Sequence, residues 1–221
     1  MGLLKAATPA TPANPATPAP APPRPAPTLD ELLAGLTSPD AAARRQSARA
    51  LSAHPAAAPA LASALPNEAE RPVQQALIGA LTKIGGPVAV GALVSLLRTD
   101  DAWLRNAAQE ALQAIGPAAV AAVRRQLADT DPCARIAAVV TLSGLPAAEA
   151  EPLLIAAIDA EASVNVVAAI IEALDVVGGP EAAAALDRLA QRPDTDPFLV
   201  FAAAAVRDRM AGADPHTSGV T

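Results

Sequence analysis

Two histidines, one cysteine and three recurrent aspartate–arginine pairs are the side chains of this 221-residue sequence best suited to chemistry. A metal or acid–base centre needs such groups clustered. His54 and His216 are the only histidines, and the second lies in a polar C-terminal tail. His54 falls at a helix end, where a histidine caps terminal carbonyls. Cys133 stands two residues after Asp131 in the first turn of a helix. A helix N-terminus depresses a thiol pKa, yet no histidine is nearby to act as base and Asp131 opposes the thiolate. The expectation is a small apolar surface residue. One cysteine also allows no internal disulfide. The pairs Asp40/Arg44, Asp101/Arg105 and Asp131/Arg135 are spaced i,i+4 with the acid first. That order suits side-chain pairing and the helix dipole. They read as a structural ladder tying neighbouring repeats. No catalytic residue, metal ligand or cofactor-binding residue is assigned, and no cofactor is expected.

The elements that position these residues are copies of one unit. Asp101–Gly116, DAWLRNAAQEALQAIG, reads as an amphipathic helix anchored on Leu112. Residues zero, one, four and eight positions before the anchor share one side of a 3.6-period helix. Matching anchors are Leu51, Leu81, Leu112, Leu142, Leu174 and Val206, separated by 30, 31, 30, 32 and 32 residues. Eleven residues before them stand Asp40, Glu70, Asp101, Asp131, Ser163 and Thr195, all but Glu70 being favoured N-caps. Seven before the anchor, arginine occurs in the first, third and fourth units and then gives way to Val167 and Leu199. Shorter apolar segments lie between, introduced by Pro55, Pro87, Pro117, Pro146 and Pro180, residues that begin a helix but cannot continue the previous one. Each unit is therefore a helical hairpin that can bury its apolar face only against stacked neighbours.

The pattern of Asp101, Leu104-Arg105, Ala108, Ala111-Leu112 and Gly116, with the junction Ala80–Leu97, resembles HEAT-like repeats of the phycobilisome (PBS) lyase type. That resemblance implies an all-α fold, a right-handed α-α superhelix of about six short hairpins. The same family includes bilin lyase subunits, an iron-dependent hydroxylase and plain adaptors. The hydroxylase uses repeated His-Glu pairs, and no His-Glu dyad occurs in this sequence. The expectation is a non-enzymatic, bacterial-type adaptor binding another protein, as a monomer. The alternative is a subunit of a bilin lyase or other cofactor-handling chaperone.

Composition narrows the remaining classes. A net charge of −6 and a pI of about 4.9 lack the basic excess that phosphate binding requires, so no nucleic acid is expected. No run of eighteen apolar residues predicts a membrane span, and the N-terminus lacks a secretion signal, which leaves a cytoplasmic location as the expectation. Residues 1–27 are expected to form a disordered Pro/Ala/Thr-rich tail of polyproline character that serves as a flexible spacer, the alternative being a ligand for a proline-binding domain at Pro20–Pro25. Thr28-Leu-Asp-Glu31 reads as a capping box opening a repeat array over 28–211. Its units are 28–54, 55–85, 86–116, 117–145, 146–178 and 179–211, and 212–221 is a polar tail. The last unit is atypical, carrying Phe198 and Phe201 but no matching arginine.

A partner-binding groove is expected on the outward face of the second helices, two, six and nine residues before each anchor. Its candidate residues are Arg45, Arg49, Gln75, Trp103, Asn106, Glu110, Cys133, Ile136 and Val140. In the last unit the same count selects Pro197, Val200 and Ala204. Trp103, the only tryptophan, is predicted to lie outward beside Ile136 and Val140.

Overall fold

The anchors are buried, Leu51, Leu81, Leu112, Leu142 and Leu174 at 0% exposure and Val206 at 4%. The computed structural model describes residues 26–212. Among them are twelve α-helices, three short 3-10 turns and no strand. They run as six hairpins: α1 (Leu29–Gly35) with α2 (Ala41–Leu51), α3 (Ala58–Ala64) with α4 (Arg71–Ile84), α5 (Gly86–Ser95) with α6 (Ala102–Ile115), α7 (Pro117–Gln126) with α8 (Pro132–Ser143), α9 (Ala147–Ala160) with α10 (Val164–Val177), and α11 (Pro180–Ala190) with α12 (Pro197–Gly212). Successive even-numbered helices pack on one another along the chain, and so do the odd-numbered ones from α3 onward. The result is a two-layered, all-α solenoid. The tails expected outside the array, with Pro20–Pro25 and His216, lie outside the described residues apart from Ala26, Pro27 and Gly212. Gly212 closes α12.

The start of α1 is the capping box read from the sequence. The Glu31 amide donates to Thr28 Oγ1 at 3.3 Å, and the Thr28 amide donates to Glu31 Oε2 at 2.8 Å. Between the layers lie alanines such as Ala48, Ala108, Ala119, Ala134, Ala138, Ala150, Ala182 and Ala185, each fully buried. A methyl side chain lets helices approach closely while costing the least side-chain entropy. Two passages from one hairpin to the next are single residues. Gly85 and Gly116 each end an even-numbered helix and begin the following odd-numbered one. Their φ of +61° and +75°, with ψ near −155° and −139°, is backbone that a side chain opposes.

The turn inside each hairpin has a polar code of its own. Asp40, Asp101 and Asp131 cap α2, α6 and α8 by accepting amide hydrogens two residues on. Two residues before each cap is a side chain that accepts the cap residue's own amide: Ser38, Glu68, Thr99, Asp129 and Glu161. Four residues after the cap, Arg44, Arg105 and Arg135 donate to the carbonyls of Ser38, Thr99 and Asp129, each at 2.8 Å. Gln74 takes the arginine's place in α4 and donates to the Glu68 carbonyl at 2.7 Å.

This geometry corrects the pairing inferred from the i,i+4 spacing. Asp40, Asp101 and Asp131 are occupied with helix amides, and the arginines turn away from them. Arg44 meets Glu68 through two bonds of 2.7 and 2.9 Å, and Arg135 meets Glu161 through two of 2.7 and 2.9 Å. Each bidentate pair joins one hairpin to the next, and planar guanidinium–carboxylate matching makes it strong. Arg105 makes its carbonyl contact, whereas Asp101 pairs with Arg71 of the preceding hairpin at 2.6 Å. Glu68 and Glu161 are held below the ordinary carboxylate range by the hydrogen bonds from Arg44 and Arg135, against the opposing effect of burial.

The last unit needs a second correction. Thr195 does not cap α12; its hydroxyl donates to the Leu189 carbonyl at 2.8 Å. Asp196 is the cap, accepting the Phe198 amide at 2.8 Å, and its carbonyl accepts the Val200 amide at 3.1 Å. The register of α12 is thus one residue later than the anchor spacing implied. Phe198, which that spacing put on the buried side, is 60% exposed.

Candidate functional site

Counting from the observed caps brings the outward face into one frame. Two residues after the cap stand Ala42, Pro72, Trp103, Cys133, Asn165 and Phe198, all exposed. Five after it stand Arg45, Gln75, Asn106, Ile136, Ala168 and Phe201, none of them buried. Nine after it come Arg49, Gly79, Glu110, Val140, Glu172 and Ala205. The corrected register replaces Pro197, Val200 and Ala204 with Phe198, Phe201 and Ala205. It therefore puts all three aromatic residues of the chain, Trp103, Phe198 and Phe201, on this face. The signal was present in the sequence: Asp129-Thr130-Asp131-Pro132 recurs as Asp194-Thr195-Asp196-Pro197, and each places its second aspartate at the cap.

Trp103 is 38% exposed and leans on α4 rather than on α8. The Arg71 guanidinium lies 4.7 Å from the centre of the indole ring, a cation–π distance. The same guanidinium bonds Asp101, which is held below its usual range chiefly by that bond. A cation bound on two sides fixes the indole over the seam between α4 and α6. Along that seam runs an open groove of about 470 Å³ lined by Gln75, Ile78, Gly79, Thr82, Trp103, Asn106, Ala107, Glu110 and Ala111. A β-carbon added to Gly79 would meet no heavy atom within 4 Å, so the groove is open there.

Of the nine groove residues expected from the sequence, Gln75, Trp103, Asn106 and Glu110 come together. Cys133, Ile136 and Val140 lie on α8, outside this groove, with Val140 42% exposed and Ile136 partly covered. Arg45 and Arg49 lie on α2 at the other end of the face. Gly79, two residues before the Leu81 anchor, lines the same groove, and Arg71, which the spacing argument did not pick out, braces Trp103 from α4. Cys133 is exposed, and its amide is bonded to the Asp131 carboxylate. His54 joins α2 to the following 3-10 turn; its backbone amide bonds the Leu51 carbonyl, and its side chain makes no capping bond. Among the described residues no three His, Cys, Asp or Glu side chains are grouped to hold a metal ion. What the face offers is shape, exposed apolar surface and charge.

The family of HEAT repeats matches residues 29–113, which hold α1 through most of α6. Over that segment the chain matches HEAT repeats. The remaining hairpins continue the same two-layered array beyond the matched segment. Similar solved structures include the complex of CpcE and CpcF of phycocyanin lyase from Nostoc sp. PCC7120, at 24% identity over 86% of this chain and 80% of that one, with a TM-score of 0.43. A HEAT-like repeats protein from Thermococcus onnurineus NA1 is 15% identical over 83% and 87%, with a TM-score of 0.45. Human deoxyhypusine hydroxylase is 20% identical over 83% and 84%, also at 0.45. No curated protein matches the sequence. No helix among the described residues is long and apolar enough to cross a membrane.

Proposed function

We propose that this array, residues 28–211, is a non-enzymatic scaffold that takes a segment of another protein along the outward face of its even-numbered helices. The observation that carries the reading is the Trp103 groove. A tryptophan pinned by Arg71 over an open seam loses little freedom when a partner covers it, and large rigid side chains contribute most when desolvated at an interface. A HEAT-type repeat fold suits this role, because a stack of hairpins presents one extended surface without needing rearrangement to do so. Polar groups around the indole (Gln75, Asn106 and Glu110) supply the hydrogen-bonding rim that gives such a pocket specificity.

The test is Trp103→Ala in the full chain. Affinity purification of intact protein beside the variant should show a partner retained by the first and lost by the second. Helicity by circular dichroism should be unchanged and the melting temperature nearly so, since the indole is more than a third exposed. A variant that loses several degrees of stability and still binds its partner would make Trp103 a seam residue and end the groove reading.

A further inference from the structure

The outward face is not uniform from end to end, and this gives the partner a direction. On α2 it carries Arg45 and Arg49, and among the described residues neither enters an ion pair. On α12 it carries Phe198 and Phe201, 60% and 74% exposed. The two phenylalanines are three residues apart and so share one side of the helix. Terminal repeats ordinarily turn a polar surface outward to stay soluble. Here the last repeat shows the two largest exposed side chains after Trp103 itself, on the face where Trp103 sits. Resting on the groove reading above, we infer that the partner segment is acidic at one end, seated against Arg45 and Arg49, and carries large aliphatic or aromatic residues at the other, seated on Phe198 and Phe201.

Charge and burial argue for this one occupant. Two guanidinium groups with no ion pair among the described residues attract carboxylates and repel a basic segment, which fixes one end. Two adjacent phenyl rings gain from contact with apolar and aromatic side chains and offer nothing to a carboxylate, which fixes the other. The middle is set by Trp103 and Glu110. Six even-numbered helices in line at about 8–10 Å between neighbours span about 40–50 Å. An extended segment of roughly 12–15 residues covers that distance at about 3.3 Å per residue.

A display library of random 16-residue peptides selected on the full chain tests the inference. Enriched peptides should carry Asp or Glu toward one end and Leu, Ile, Phe or Trp toward the other. Synthetic copies should quench or blue-shift the tryptophan fluorescence, which reports only on Trp103 because the chain has one tryptophan and no tyrosine. Phe198→Ser with Phe201→Ser should weaken them at least tenfold with circular dichroism unchanged. Arg45→Glu with Arg49→Glu should weaken them several-fold at low salt, and exchanging the peptide's acidic residues for lysine should restore binding to that variant.

Peptides that need Trp103 but show no such polarity, and ignore both end variants, would overturn this inference and leave the groove reading standing. Failure to enrich any peptide dependent on Trp103 would remove both. Self-association of the chain that Phe198→Ser abolishes would also overturn it, making a second copy the occupant of α12.

Discussion

The first two turns of each even-numbered helix serve two surfaces with opposite chemistry. Four residues after the cap, the chain faces the turn edge, where Arg44, Gln74, Arg105 and Arg135 all find hydrogen-bond partners. Two and five residues after the cap, it faces outward, where Trp103, Asn106, Phe198 and Phe201 stand open to contact. The two surfaces are separated by less than one helical turn. Polar groups are saturated where the repeats hold each other, and apolar groups are left uncovered where they do not. The comparison teaches that charges paired between repeats belong to the turn edge, whereas the outward face keeps three exposed rings and, at Arg45 and Arg49, charges that enter no ion pair among the described residues.

If the division is real, a substitution on the turn edge should cost stability and one on the outward face should not. Arg135→Ala is the strongest test. It removes the donor from the Asp129 and Thr130 carbonyls and leaves Glu161 facing the gap. Side-chain exposures of 15% and 11% for the pair mean that water replaces these bonds poorly. Loss of several charge-assisted bonds should lower Tm by roughly 4–8 °C in a domain of this size, measured by thermal melts. Partner binding at 20 °C should be intact. A Tm within one degree of the parent would show that the bidentate pair is a surface ornament and that the turn edge is not what holds neighbouring hairpins together.

Acid should act on the same edge more gently. Glu68 and Glu161 are depressed in the folded state by Arg44 and Arg135, and Asp101 by Arg71. A depressed carboxylate contributes stability that is present above its unfolded value and is lost as pH falls through the folded one. Stability should therefore hold from neutral pH down to about the ordinary glutamate value of 4.5 and then decline. In Arg135→Ala the decline should be shallower, because Glu161 loses the strongest of the bonds that favour its charged form and keeps only those from the Ala162 and Ser163 amides. Melts at a series of pH values in parent and variant would check this. Equal slopes would mean that the acid response comes from elsewhere.

How much of this could be read from the sequence follows from the range of each interaction. The hairpins, the caps at Asp40, Asp101 and Asp131 and the buried anchors were legible because capping and 3.6 periodicity act within a few residues. Asp101, Ala108, Ala111 and Leu112 announce α6 on their own. The partners of Arg44 and Arg135 were not legible, since Glu68 and Glu161 lie 24 and 26 residues away and only stacking brings them near. Within one helix the i,i+4 spacing points to Asp40 and Asp131 instead, four residues back, but their carboxylates are taken by the cap amides. The register of α12 was missed for a different reason. Val206 is an acceptable anchor by type, and Thr195 an acceptable cap, so local plausibility hid the better match of the repeated Asp-Thr-Asp-Pro. Likewise, nothing within α6 shows that Trp103 leans back on Arg71 of the preceding hairpin.

The outward face offers the smallest change in stability and the sharpest discrimination, at Gly79. This residue sits in the body of α4, across the groove from Trp103, with open space where a side chain would go. Glycine inside a helix is less favourable than alanine by roughly 0.5–1 kcal/mol, because the unfolded chain has more freedom to lose. Gly79→Leu should therefore raise Tm by about 1–3 °C while filling the groove with an isobutyl group. Binding of any Trp103-dependent peptide should fall at least tenfold, and the emission of Trp103 should shift to the blue in the absence of ligand. A groove that exists only to complete the packing of α4 against α6 would respond in the other way, with the added side chain lowering Tm. The sign of one melting shift, taken with one titration, separates a surface kept open for a partner from a seam left imperfectly filled.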